Sequence, residues 1–165
     1  MRILYLIRHS KSCWEDPSLM DKERPLNKRG ERDAPFMANK MLLEEFSPDL
    51  LLASSARRTI QTANAFAGVF KLPEEKIILS DSIYNGSVED VTNAIQSIDD
   101  PNAHVVYLFG HNPTITQMAN LYRLKPIDNI PTSGIVRLVC KIDNWSDFAR
   151  DKVYSNRYYY PKMYN

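Results

Sequence analysis

Three short segments constrain this chain more than any other feature: "LYLI" at 4–7, "LLLA" at 50–53 and "VVYLF" at 105–109. Each is apolar at consecutive rather than alternate positions. That is the pattern of a strand buried on both faces, as in a parallel sheet covered by helices. Punctuation and period place strands at 2–7, 49–54, 76–80, 104–110 and 134–142, with helices at 27–46, 55–70, 87–98 and 113–124. The alternating order predicts an α/β protein, a three-layer α/β/α sandwich with a mostly parallel central sheet. Asn27 and Ser87 stand where helix N-caps belong, Asp90 follows Ser87 at capping-box spacing, and Pro113 suits a first helical turn. Pro35 falls inside its predicted helix, so a late start or a kink is expected there. The tail "NRYYYPKMYN" reads as either an edge strand or a strap over the surface.

With 165 residues, 44% of them hydrophobic, the chain has enough apolar material for one core. A single catalytic domain over 1–165 is expected, with 143–165 as a tyrosine-rich C-terminal extension. Lysine and arginine total 21 against 20 acidic residues, a balance without a nucleic-acid or acidic-membrane signature. The first apolar run is too short for a signal-peptide core, and no later stretch is long enough to span a bilayer. Cys13 and Cys140 lack CxxC spacing, which argues against zinc or a disulfide framework and suits a reducing compartment. A cytoplasmic protein without a bound metal or cofactor is the expectation.

Ligands of open α/β sheets bind outside the carboxyl ends of the strands. There the sequence places Arg8 and His9 after the first strand, Arg57 and Arg58 after the second, and His111 after the fourth. Adjacent strands would gather two imidazoles and at least two guanidiniums into one small volume. Guanidinium donors match phosphate oxygens, and imidazole is suited to act as nucleophile or proton carrier near neutral pH. The pair Arg57-Arg58 at a helix start is electrostatically unfavourable unless an anion sits there, which helix N-termini bind readily. The combination points to phosphoryl transfer. His104, Cys13, Cys140, Trp14 and Trp145 have no such setting and read as packing or surface residues.

These motifs, "RHSKS", "SSARRTIQTA" and "GHNP", resemble in order and spacing the histidine phosphatase superfamily, over Met1 to about Ile142. The segment "RHSKSCWEDPSLMDKERPLNKRGERDAP" and the small size are most similar to its SixA-type phosphohistidine phosphatases. The resemblance implies a phosphoglycerate mutase-like fold. It also implies attack by His9 on phosphorus to form a phosphohistidine enzyme, with Arg8, Arg58 and His111 clamping the phosphoryl oxygens. The family pattern Ser-Pro-x-x-Arg-x-x-Gln-Thr falls on Ser54, Ser55, Arg58, Gln61 and Thr62, which selects Arg58 over Arg57 as the phosphate ligand. Ser10, Asn27 and Asn112 are supporting candidates around the phosphate.

The chain departs from the family after the third strand, where many members carry a general acid and this sequence reads "SDSIYNGSVEDV". Asp16, Asp21 and Glu89 are the candidate substitutes. An alkoxide leaving group needs a general acid far more than imidazole does, so the departure favours phosphohistidine. Without an insertion long enough to form a lid, an open site suits a phosphorylated side chain of a partner protein. A phosphatase of small phosphorylated molecules on the same scaffold, and a non-catalytic phosphate-binding module, are the competing readings.

Overall fold

The computed structural model describes residues 1–165. The nine expected elements alternate, β1 (Arg2–Arg8), α1 (Lys28–Glu44), β2 (Leu50–Ser54), α2 (Arg57–Phe70), β3 (Ile77–Ser80), α3 (Val88–Gln96), β4 (Val105–Gly110), α4 (Thr114–Asn120) and β5 (Ile135–Cys140), and a sixth strand, β6 (Val153–Tyr159), follows β5. One six-stranded sheet runs in the order β3-β2-β4-β1-β5-β6. The pairs β3/β2, β2/β4 and β4/β1 are parallel, whereas β1/β5 and β5/β6 are antiparallel.

The continuous apolar runs have the predicted cause. Along β1, Leu4 and Leu6 face one core while Tyr5 and Ile7 face the other, and all four are fully buried. The first core packs under Val91 and Ile95 of α3 and under Ile115, Met118 and Ala119 of α4, with Trp145 and Phe148 closing its end. The second packs under Met37, Ala38 and Met41 of α1 and Ala63, Phe66 and Ala67 of α2. Spacings of three and four residues put each of these sets on one helical stripe. Helices therefore cover both faces, giving three layers.

Three details differ from the sequence reading or resolve it. The fifth strand is antiparallel to β1 because the chain after α4 returns along the carboxyl edge in a loop, so that Ile135 enters opposite Ile7. The tail is an edge strand: β6 pairs with β5, and a turn over Pro161–Tyr164 packs against α1. Helix α1 continues through Pro35 without interruption, capped by the Asn27 side chain on Gly30 N–H at 2.9 Å.

Register decides where the chemistry lies. Arg8 stands beside Gly110, and Ala53 is level with Phe109. The strands β1, β4 and β2 thus end together, which brings His9, His111 and the start of α2 to one edge of the sheet.

Candidate active site

Arg8 ends β1 and His9 follows it into a fixed turn. The His9 backbone N–H donates to Gly110 O at 3.1 Å, and Arg8 N–H to Gly134 O at 3.0 Å. Ser133, in the left-handed region with φ 65°, shares its N–H between the carbonyls of Arg8 and His9 at 3.1 and 3.2 Å. Ser10 N–H donates to Thr62 Oγ1 at 3.0 Å, and that hydroxyl donates to Arg58 O at 2.8 Å. The backbone carrying His9 is therefore held by β4, α2 and the loop before β5.

The His9 side chain is buried, and its Nδ1 lies 2.7 Å from Ser10 O. A carbonyl only accepts, so the proton is on Nδ1 and the lone pair is on Nε2. Burial, assisted by the charges of Arg58 and Arg8 and opposed by the Ser10 carbonyl, pushes the His9 pKa down to about 4. At neutral pH His9 is an uncharged imidazole with an available nitrogen, the state a nucleophile requires.

The His111 ring lies 5.2 Å from that of His9, centroid to centroid. Its Nε2 donates to Ser54 Oγ at 2.7 Å, while Nδ1 receives the Arg58 guanidinium at 3.4 Å. Burial and the neighbouring His9 and Arg58 lower its pKa to about 3. Arg8 donates from one terminal nitrogen to Ile130 O at 2.9 Å, and its buried Nε has no partner. Arg58 is buried in the first turn of α2, a turn with no acidic residue and no side-chain cap. Two guanidiniums, two imidazoles and the N–H groups of a helix start converge there. That arrangement can hold a dianion and deliver a nitrogen to it.

The buried neutral histidines also predict acid sensitivity. The unfolded chain protonates each near 6.5, whereas the folded protein resists until about 4 and about 3. Their combined contribution to stability is present above the unfolded pKa and is lost as pH falls below it. We expect stability to fall by about 1 kcal/mol per pH unit per histidine between pH 6.5 and 4. Urea titrations at stepped pH should show His9→Gln, His111→Gln reducing that slope.

The other sequence candidates separate clearly. Asp21 is at the site: it accepts from Arg58 at 3.0 Å and from the Tyr84 hydroxyl at 2.8 Å. Partial burial opposes its charge, but those hydrogen bonds and the Arg58 charge outweigh burial and hold the carboxyl below its ordinary value. Asp16 instead binds Ser18 in its own exposed turn, and Glu89 lies in the exposed first turn of α3. The three supporting candidates have structural partners. The Ser10 hydroxyl pairs with Ser133 Oγ at 2.6 Å, Asn27 caps α1, and Asn112 ties Asn129 and Ile130 to Thr116.

Sequence reasoning missed Tyr84 and Ser133. Tyr84 sits edge-on to His111 at 5.6 Å and was within reach of the strand-end rule, since it follows β3. Ser133 precedes β5, at the end of a strand whose direction the sequence did not reveal. Ser55 stands where the family pattern has proline; its hydroxyl bonds Asp81, which also pairs with Lys22 at 3.2 Å. Beside His111 a cleft of about 320 Å³ is bounded by Ile83, Asn85, Ser87 and Asn112.

Comparison with known proteins identifies the family and the fold. The sequence model of the histidine phosphatase superfamily (branch 1) matches residues 4–105, more than half of the chain, including Arg8, His9 and Arg58. An uncharacterized chloroplastic protein of Arabidopsis thaliana is 32% identical over 127 residues, 73% of this chain; the match spans 58% of that relative's length. The crystal structure of a protein assigned as phosphohistidine phosphatase SixA, from Agrobacterium tumefaciens, is 27% identical. It superposes with TM-score 0.77 over 97% of this chain and 98% of the other. The protein histidine phosphatase SixA complexed with tungstate shares the fold, with TM-score 0.82, 18% identity and 99% coverage of both chains. Arg8, His9, Arg58 and His111 thus stand in a phosphoglycerate mutase-like fold, and the chain belongs to the histidine phosphatase superfamily (branch 1).

Proposed function

We propose that the protein hydrolyses phosphohistidine on another protein through a phosphohistidine intermediate on His9, with residues 1–165 as one catalytic unit. The observation that carries this reading is the hydrogen bond from His9 Nδ1 to Ser10 O, which leaves Nε2 free to attack. Arg8 and Arg58 hold the equatorial oxygens, whose charge dominates a loose transition state, and His111, accepting from Arg58 and donating to Ser54, positions that guanidinium. Bond making and breaking balance without a proton donor. The His9 Nε2 lone pair forms the new P–N bond, and the electrons of the old P–N bond go to the leaving imidazole. That ring departs neutral because its other nitrogen already carries a proton. Water then adds to phosphorus, the P–Nε2 electrons return to His9, and phosphate leaves as its monoanion.

The absence of a protonated acid at the site supports this substrate class over alkyl esters. Asp21 is ionised, and Asp16 and Glu89 lie elsewhere. The positive charge the transition state requires comes from Arg8, Arg58 and the start of α2, so the reading invokes no metal. Two unpaired cysteines, one of them buried, suit a cytoplasmic setting.

The reading is tested by comparing kcat/KM for a phosphohistidine peptide with kcat/KM for sugar and nucleotide monophosphates. A preference of at least about 100-fold for the peptide is expected, since an unassisted alkoxide forfeits the 10²–10⁴-fold that general acid catalysis supplies. Equal or better turnover of the monophosphates would instead assign the site to small molecules.

A further inference from the structure

Asp21 is an anomaly in an anion site. Its carboxylate lies within 3.0 Å of the phosphate-clamping Arg58, half-exposed at the mouth, and its charge reaches both His9 and His111. A negative group there repels an incoming phosphoryl dianion, and a carboxyl already ionised has no proton to give a leaving oxygen. Yet it is deliberately held: Tyr84 donates to it at 2.8 Å, Arg58 donates to both its side chain and its backbone carbonyl, and Arg24 approaches to 3.9 Å.

The chemistry that benefits from an anion at this place is phosphoryl transfer from a ring that is cationic while it carries the phosphoryl group and leaves neutral. A phosphoimidazole protonated on its far nitrogen carries an N–H⁺ that points away from phosphorus, on the side opposite the attacking His9. The attacking ring becomes the same species once phosphorylated, and its Nδ1–H already rests on the Ser10 carbonyl. Transfer between two such rings is nearly symmetric, and each needs an acceptor for its distal N–H. Ser10 O serves the acceptor ring. We infer that Asp21 serves the other, accepting the distal N–H of the substrate's phosphohistidine and so selecting a protonated phosphoimidazole over phosphate esters. In this step the P–N bond of the substrate breaks, its electrons return to the leaving nitrogen, and the distal proton stays where it is, on the ring and against Asp21. Tyr84, its ring edge-on to His111, donates its hydroxyl to Asp21 and holds the carboxylate in place. Asp21 does not transfer a proton here and is an anchor for the leaving group, a role that rests on the phosphohistidine reading above.

The experiment measures kcat/KM of wild type, Asp21→Asn and Tyr84→Phe on a phosphohistidine peptide and on an aryl phosphate, whose phenolate carries no N–H. Asparagine keeps an oxygen for Arg58 and removes the charge. The expected result is a fall in the ratio of peptide to aryl turnover by about ten- to a hundredfold in Asp21→Asn, the worth of one charge-assisted hydrogen bond. A smaller fall in the same direction is expected in Tyr84→Phe. Equal losses on both substrates would overturn the inference, because they would reduce Asp21 to a residue that merely positions Arg58. Wild-type protein that turns over the aryl phosphate but not the peptide would overturn the substrate reading itself, a result visible before any variant is made.

Discussion

Replacing His9 with alanine is expected to lower turnover of an aryl phosphate by at least about 10⁴-fold, the scale on which loss of a covalent nucleophile is felt. The fold should survive the change. The His9 side chain bonds only Ser10 O, while its backbone is held independently by Gly110 and Ser133. Far-ultraviolet circular dichroism and the thermal midpoint should therefore stay close to wild type while activity disappears. The variant should still bind inorganic phosphate, since Arg8, Arg58 and the start of α2 remain. A His9→Ala protein that kept even one-tenth of wild-type activity would remove the nucleophile from the account, whatever the rest of the site did.

The second large effect is on stability and lies far from the chemistry. Glu45, at the C-terminal end of α1, has a side chain only 2% exposed. It accepts from Arg137 of β5 and from the Tyr5 hydroxyl of β1, each at 2.8 Å, and from the Tyr159 hydroxyl of β6. One carboxylate thus ties a helix to three strands, including the edge strand supplied by the tail. Removing it leaves the Arg137 guanidinium, 14% exposed, without its ion-pair partner and two tyrosine hydroxyls without acceptors. We expect Glu45→Ala to cost about 3–5 kcal/mol, the usual penalty for breaking a buried pair from one side. At this chain length that corresponds to a drop of about 10 °C in Tm. Glu45→Gln should cost less, because it keeps an acceptor. Turnover per folded molecule should be unchanged, so that denaturant titration and activity separate the two effects. A loss under about 1 kcal/mol would show that the hub is solvated and dispensable.

The parts of this protein that were legible in the sequence are those with local causes. Continuous apolar runs reported strands buried on both faces, Asn27 and Ser87 reported helix starts, and three motifs at strand ends reported Arg8, His9, Arg58 and His111. What escaped depends on partners distant in sequence. The direction of β5 is set by a loop that returns along the carboxyl edge, and nothing in "GIVRLVCKI" records it. The tail could be an edge strand or a strap until Tyr159 met Glu45. Ser10 was a reasonable phosphate donor by position, but Ser133, 123 residues away, takes its hydroxyl. Asn112 likewise braces Asn129 and Ile130, 17 and 18 residues on, whereas the Asn27 cap on Gly30 is local and was legible. Asp21 shows the converse. Its position in a loop gave it no more claim than Asp16, and only the fold turned it toward Arg58 while Asp16 closed on Ser18.

Catalysis by this route requires a covalent bond between phosphorus and His9 Nε2. The direct test is to mix the protein with an activated aryl phosphate, quench in alkali within the first turnovers, and map phosphate by mass spectrometry. An acid-labile, alkali-stable adduct on the peptide containing His9, absent from His9→Ala, is the predicted result. Turnover without any adduct at His9 at any quench time, or tight phosphate binding with neither adduct nor turnover, would contradict it.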